Sequence, residues 1–349
     1  MKKISSLPGI KDIALMAGVS IGTVDRVLHN RGRVSEATRI KVKEIAQKIN
    51  YKPNMLARSL VINKERTIAL LIPGQEDEFW KQAWEGVTGV LQKWEQFRIL
   101  IEPFFYSVDD RSSFEKASAG IIKRKPDGVV MAPTFLDEGR KLYEHCNESS
   151  IPLVMFDTMI PGAEPLSVIG TDSFQSGMAA AELLHMTARK KGRFLMLHFD
   201  EEVINSPHMQ EKEKGFLAYL KKYCPGRKVR IVAMNSPGHQ YQQQLGEIFS
   251  KWKISGVCVS TSKAYYVGAF LGKEKKNKVR IVGYDLTSAN IKLLKSGNID
   301  FLIDQNPGRQ AEESINTLCG YLVHGEKVMP KKLFPIEIVT RMSIGKGYN

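Results

Sequence analysis

Residues 10–30, IKDIALMAGVSIGTVDRVLHN, decide how this chain opens. Ile10, Ile13, Ala14 and Ala17 fall at i, i+3, i+4 and i+7, one apolar stripe of a helix. Gly18 follows where a helix-ending residue with positive φ is easiest to place. Ser20 is then an N-cap for a second short helix, its hydroxyl able to accept from a first-turn N–H. That helix carries Val24, Val27 and Leu28 inward and leaves Ile21, Gly22, Asp25, Arg26 and His29 outward. Two helices joined by so tight a turn make a helix-turn-helix, whose second helix fits a major groove. An ordinary helical hairpin shows the same pattern, so the flanking sequence has to decide.

Ser35 caps a third helix, with Val42, Ile45, Ala46 and Ile49 again at i, i+3, i+4 and i+7. Asn50-Tyr51-Lys52-Pro53 stops it, because a residue before proline is pushed out of the α region. One short helical segment follows, Asn54-Met55-Leu56-Ala57-Arg58-Ser59-Leu60. Charge agrees: up to Glu65 there are thirteen Lys/Arg against five Asp/Glu, an excess of +8 out of +14 for the whole chain. A basic excess concentrated on a helix-turn-helix is what phosphate binding needs.

The AGVS turn, the TVDRVL core, GRVSEATR, the YKPN break and the ARSL segment together resemble the lactose-repressor family of bacterial transcription regulators. The resemblance implies a DNA-contacting set of Ser20, Ile21, Gly22, Thr23, Asp25, Arg26, His29 and Arg33, with Asn54, Ala57, Arg58 and Leu60 in a hinge helix. Ile21, Gly22 and Arg26 would reach base edges; arginine is the best single reader, bidentate to guanine. Gly22 has no side chain to read with, and Ile21 suits a thymine methyl. Asp25 departs from the family's usual serine; a phosphate repels it unless Arg26 or Arg31 neutralises it, or it accepts from a cytosine amine. Leu60 matches the hinge leucine that the family wedges into the minor groove, with packing on the sensor domain as the alternative. Lys2, Lys3, Arg31, Arg33 and Lys52 are phosphate contacts or solvated charges.

At 349 residues the chain is too long for one compact domain plus a small head. No apolar run reaches transmembrane length, and the opening MKKISSLPGIKD has no apolar signal core, so a cytoplasmic protein is expected. Cys146, Cys224, Cys258 and Cys319 are scattered and read as reduced, mostly buried residues, with neither a disulfide frame nor a zinc site.

From Arg66 the pattern becomes strands alternating with helices. Apolar runs at 67–72, 99–105, 128–132, 153–156 and 168–170 form a first set. Runs at 193–199, 229–233, 256–260, 279–283 and 301–303 form a second. Continuous apolar strands between helices imply parallel sheets covered on both faces, and some ten strands imply two sheets in two lobes. This resembles the type I periplasmic binding proteins, on whose fold the family's sensor is built; IPLVMFDT, GTDSFQSG, VRIVGYD and LIDQNP carry the likeness. The expected fold is therefore a small all-α helix-turn-helix head plus an α/β two-lobed periplasmic-binding-protein-like domain of two parallel doubly wound sheets. The expected boundaries are 1–53 for the head, 54–65 for hinge and linker, and 66–343 for the effector domain. Its first lobe would take about 66–170 and 306–333, its second about 171–305 and 334–343, with crossings near Thr171, Gln305 and Phe334.

Ligand in such folds sits between lobes at the carboxyl ends of the strands. Asp157 ends LVMF and Asp285 ends RIVGY, and a carboxylate there accepts two hydroxyl hydrogen bonds, suiting a sugar or polyol. Phe79 and Trp80 offer faces for a sugar ring. The resemblance extends the set to Asp77, Phe79, Trp80, Asp157, Gln210, Ser262, Asp285 and Gln305. Relatives often carry arginine at the position of Gln210 and asparagine at that of Ser262, so an anionic sugar has no clamp at Gln210. A helix cap is the alternative for each aspartate, and plain core packing for the two aromatics.

The expectation is a dimeric repressor that binds pseudo-palindromic double-stranded operator DNA and a small carbohydrate-like effector, with no cofactor, no metal and no membrane. An enzyme would need chemistry that is missing here. There is no phosphate-cradling glycine loop and no Gly-x-Ser-x-Gly elbow, and His29, His185, His198, His208 and His239 are scattered singly. A sugar-binding transport protein would need a signal peptide and would carry no basic helix-turn-helix.

Overall fold

The structure is a computed structural model and describes residues 9–28, 32–49, 51, 65–200, 206–235, 240–273 and 279–345. The chain divides into two compact units, Met1–Lys64 and Glu65–Asn349.

In the first unit, α1 (Ile10–Ala17), α2 (Ile21–Leu28) and α3 (Glu36–Lys48) enclose Ile13, Ala14, Ala17, Val24, Val27 and Val42. Helices of eight residues are marginal alone, so this shared core and the caps hold them. Gly18 ends α1 at φ 67°, the left-handed conformation that glycine adopts without a Cβ clash. Ser20 Oγ accepts from the Thr23 N–H at 3.1 Å, and Ser35 Oγ from the Thr38 N–H at 3.3 Å. Leu28, Ile45, Ala46 and Ile49 pack at the edge of the core, half-buried.

The second unit opens with β1 (Arg66–Pro73), α4 (Glu78–Glu95), β2 (Ile99–Tyr106), α5 (Arg111–Arg124), β3 (Gly128–Met131), α6 (Leu136–Glu148), β4 (Leu153–Phe156) and β5 (Ser167–Thr171). Then come α7 (Ser173–Thr187), β6 (Arg193–Phe199), α8 (Pro207–Tyr223), β7 (Val229–Met234), α9 (Gln240–Lys251), β8 (Ile254–Val259), α10 (Ala264–Lys273), β9 (Arg280–Tyr284), α11 (Ser288–Lys295) and β10 (Phe301–Asp304). The last elements are α12 (Pro307–His324), β11 (Lys331–Phe334) and β12 (Glu337–Thr340). The strands form two six-stranded sheets, β11-β5-β4-β3-β1-β2 and β12-β10-β9-β8-β6-β7. The chain leaves the first sheet after β5, returns to it before α12, and leaves again between β11 and β12.

Among the described residues every strand pairing is parallel except one. The edge strand β12 runs antiparallel to β10, from Phe301 opposite Thr340 to Asp304 opposite Glu337. Neither β11 nor β12 appears among the runs expected from sequence. Both are edge strands of four residues, largely exposed on their outer side, so neither shows the apolar run of an interior strand.

Interior strands are apolar throughout because alternate residues serve opposite faces. On β1, Ile68, Leu70 and Ile72 join α4 and α12, while Ala69 and Leu71 face the α5 and α6 side. On β6, Leu195, Leu197 and Phe199 pack one way, and Phe194 and Met196 pack against α7 and α8. Each large side chain so buried contributes about 1.5–3 kcal/mol.

Candidate functional site

Three strands end in an aromatic residue followed by aspartate: Phe156-Asp157, Phe199-Asp200 and Tyr284-Asp285. The three aspartates share one geometry, with φ of 64°, 60° and 67°. Each backbone N–H still donates to a neighbouring strand, to Ile169 O at 3.0 Å, Met234 O at 2.9 Å and Ile303 O at 2.9 Å. The chain then turns through the left-handed region, which aspartate tolerates better than most residues. All three carboxylates line one cavity of about 410 Å³ between the lobes.

Asp285 is the most enclosed. Gln305 Nε2 donates to both its oxygens, at 2.9 and 3.1 Å. Burial pushes its carboxyl up to about 7, held back by the Lys212 charge and the Gln305 hydrogen bonds; Asp304 and Asp157 add to the rise. It is not a helix cap, since α11 is capped by Thr287, whose hydroxyl accepts from the Asn290 N–H. Asn290 Nδ2 instead ties three carbonyls together, those of Ser262, Tyr284 and Asp285, at 2.8, 2.9 and 3.1 Å. Gln310, fully buried on α12, donates to Gln305 O at 2.7 Å and accepts from the Asp157 N–H at 3.1 Å, so one side chain fixes both strand ends.

On the first lobe, Asp77 caps α4 by accepting from the Phe79 N–H at 2.8 Å, and it lines the cavity as well. Phe79 and Trp80 meet edge-to-face at 4.8 Å and belong to both the core and the cavity wall. Arg111 Nη1 reaches Glu138 Oε1 at 3.1 Å. On the second lobe the wall is built by His208, Lys212, the 260–263 turn and the pair Lys263–Asp200, at 2.6 Å.

Of the eight residues expected in the pocket, Asp77, Phe79, Trp80, Asp157, Ser262, Asp285 and Gln305 line this cavity. Gln210 does not. Along α8 each residue turns by about 100°, so His208 and Lys212, one turn apart, share the cavity face and Gln210 lies well round from it. Arg111, Asp200, His208, Lys212 and Lys263 are cavity residues that the sequence reading omits. A signal for Asp200 is present: LMLHFD repeats the aromatic-aspartate strand ending of LVMFD and RIVGYD.

In the head unit, Ile21, Gly22, Arg26 and Arg33 are exposed, and Thr23 is half-buried with its hydroxyl 2.9 Å from that of Ser20. Arg26 Nε donates to Gly22 O at 3.1 Å, one turn back, which steadies the guanidinium. Asp25 is half-buried, and its charge adds to the burial that raises the Tyr51 hydroxyl. His29, Asn54, Ala57, Arg58 and Leu60 lie outside the described residues, as do Lys2, Lys3, Arg31 and Lys52. No helix among the described residues is long and apolar enough to cross a membrane.

Residues 9–54 match the model for bacterial regulatory proteins of the lacI family, and residues 68–327 that for the periplasmic binding protein domain. The ribose operon repressor of Bacillus subtilis is 28% identical over 282 residues, covering 79% of this chain and 81% of that one. The HTH-type transcriptional regulator RegA of Clostridium acetobutylicum is 35% identical over 150 residues, 43% of each chain. Among solved structures, a Bacteroides fragilis chain described as a LacI transcriptional regulator superposes with a TM-score of 0.74 at 29% identity, over 80% of this chain and 98% of that one. The glucose-galactose binding protein GanP of Geobacillus stearothermophilus, at 17% identity and a TM-score of 0.70, shares the fold.

Proposed function

The chain belongs to the lacI family of bacterial regulatory proteins, with a periplasmic binding protein domain following its helix-turn-helix, and from that we propose that it is a cytoplasmic repressor of transcription that answers to a small carbohydrate-like effector. Two heads of a homodimer bind the half-sites of a pseudo-palindromic operator. Arg26 reads guanine, Ile21 meets a thymine methyl, and Ser20, Thr23 and Arg33 position the head on phosphate. The 54–65 segment is the hinge, with Leu60 as the minor-groove wedge and Asn54, Ala57, Arg58 and His29 as further DNA contacts.

The effector binds in the interlobe cavity, between Phe79 and Trp80 on one wall and the strand-end aspartates. The observation that carries this reading is the shared left-handed ending of Asp157, Asp200 and Asp285, which brings three hydrogen-bond-accepting carboxylates to one cavity. A relative named for the ribose operon supports a sugar. A ligand that favours one lobe arrangement shifts the hinge pair, and by linkage DNA and effector alter each other's affinity by the same factor.

The test is selection of binding sites from random duplexes, followed by titration of the enriched duplex with and without sugars. Recovery of a two-fold-related site whose affinity changes with a sugar is the expected result. A site without symmetry, or affinity indifferent to every sugar and polyol, removes the proposal. Sedimentation of the protein–duplex complex reads the stoichiometry.

A further inference from the structure

The second lobe carries its positive charge at one end. Three connections lead into neighbouring strands of its sheet, 188–193 into β6, 221–230 into β7 and 251–253 into β8. They hold four, five and two Lys/Arg, eleven in all, and no Asp or Glu. The chain is at +14 and the stretch up to Glu65 at +8, which leaves +6 for residues 66–349. With +11 in these connections, everything else in that domain is net acidic, at −5. Strands β6, β7 and β8 run parallel, so their starts share one edge of the sheet and their ends the other. The effector cavity lies at the ends, with Asp200 after β6 and the 260–263 turn after β8. The basic connections therefore lie at the opposite edge.

Direct contacts join the three connections into one face. The Arg193 N–H donates to Lys253 O at 2.8 Å, and the Phe194 N–H to Lys228 O at 2.9 Å. Arg227 Nη1 donates to Gly192 O at 2.8 Å and to Arg189 O at 3.3 Å. The half-buried Trp252 ring has Arg230 over it at 3.9 Å, Lys251 at 5.7 Å and Arg193 at 5.9 Å. Arg193 and Arg227 are half-buried, and the other nine cations are exposed. Among the described residues no carboxylate lies within ion-pair distance of any of the eleven. Arg280, which starts the next strand β9, does have such a partner, Asp300 at 2.7 Å. Crowded like charges without counter-charges oppose the compact state.

We propose that this face is a second DNA-binding surface, separate from the helix-turn-helix, that holds the phosphate backbone of a duplex without regard to sequence. Exposed cations spread across three neighbouring strand starts suit a row of phosphates, whereas a small anion needs donors converging on one point. The lysines act as point charges on flexible stems, which follow a backbone and read no base. The chain belongs to a family with a DNA-binding head, so duplex is the polyanion in its surroundings. One molecule can then hold two duplex segments, one at the head and one at this face. The face lies apart from the effector cavity, so the proposal stands independently of the effector reading.

The test holds the full-length protein on an immobilised random duplex and measures capture of a second, labelled random duplex over a salt series. The variant combines Lys190→Glu, Lys191→Glu and Lys228→Glu, and its fold is checked by thermal melting. A control of equal charge change combines Lys116→Glu, Lys123→Glu and Lys331→Glu, three exposed lysines of the first lobe. The parent should capture the second duplex, and the variant should lose at least about tenfold at low salt. The slope of log affinity against log salt should become shallower by about two to three, near one for each phosphate contact removed. The control should stay within about twofold of the parent. No capture by the parent, undiminished capture by the variant, or an equal loss in the control overturns the proposal. So does capture of phosphatidylserine vesicles without capture of duplex, which would make the face a membrane contact. Should the glutamate variant fail to fold, the same three lysines changed to glutamine decide by the same criteria. Random duplexes serve throughout, so failure to select an operator removes the repressor reading and leaves this result separate.

Discussion

Glu78, in the first turn of α4 on one lobe, accepts two hydrogen bonds from Ser288 on the other, from its backbone N–H at 2.8 Å and its hydroxyl at 2.6 Å. Ser288 is the first residue of α11, so a carboxylate meets the positive end of a helix. One turn further along α4, Gln82 Nε2 donates to Leu286 O at 3.1 Å. The helix that carries Phe79 and Trp80 is thus tied to the segment that follows Asp285.

Glu78→Ala should favour the open arrangement of the lobes. Charge-assisted hydrogen bonds are worth about 1.5–3 kcal/mol when enclosed; this pair is exposed, so a loss near 1 kcal/mol in effector affinity is expected. Small-angle scattering should show a larger radius of gyration for the ligand-free variant. Unchanged scattering and unchanged affinity together would mean that the contact does not hold the lobes.

Asp285→Ala should weaken effector binding by roughly 1–3 kcal/mol, because ligand hydroxyls lose a charged acceptor. It should leave DNA binding by the ligand-free protein intact. Thr287 caps α11, so the loss should not be a capping effect. An unchanged effector Kd with a lower Tm would sink the assignment.

Asp285 also makes stability depend on pH. Its carboxyl stands at about 7 against an ordinary value of 3.8, so the folded chain holds this proton more tightly than the unfolded one. Its contribution is fully present below about pH 4 and is lost as pH rises through 7, over a span of up to about 4 kcal/mol. Asp285→Asn cannot ionise. The parent should therefore fall behind this variant progressively between pH 4 and 8, on top of a constant offset from the altered Lys212 partner. Parallel Tm profiles for the two proteins would show that Asp285 titrates normally.

Arg26→Ala should cost about 1–3 kcal/mol on the selected duplex and relax preference at one base pair in each half-site. Binding to random duplex should change much less. Equal losses on both would make Arg26 a phosphate contact.

The three helices described in the head were readable because their determinants are local. Gly18, Ser20 and Ser35 act within three or four residues of themselves, and the caps appear where the sequence puts them. The interior strands were readable because burial on both faces leaves them apolar throughout. β12 was not, since its pairing with β10 joins residues more than thirty apart and gives no local period. The pocket was half readable. A strand-end aspartate announces itself in sequence, whereas Lys212 is a lysine among the charged residues of EKEKGF and only the phase of α8 shows which one is turned inward. A resemblance aligned on Gln210 carries a position across but not the rotation of the helix beneath it.

The close approach of α8 to α7 depends on Gly177. A Cβ there would overlap the Lys212 carbonyl, and a Cβ on Gly215 would overlap the carbonyl of Phe174, so α7 and α8 approach closely at both points. Gly177→Ala must push α8 away from α7. Overpacking of this kind costs about 1–3 kcal/mol. The shift moves the backbone of Lys212, so effector affinity should fall together with Tm, although residue 177 is not in the cavity wall. Gly89, on α4, is the control: a Cβ there meets nothing within 4 Å. Gly89→Ala should stabilise by roughly 0.5–1 kcal/mol through helix propensity and leave effector affinity unchanged. Thermal melting and calorimetric titration of both variants check this. If Gly177→Ala melts and binds like the parent, the contact between α7 and α8 does not set the position of Lys212.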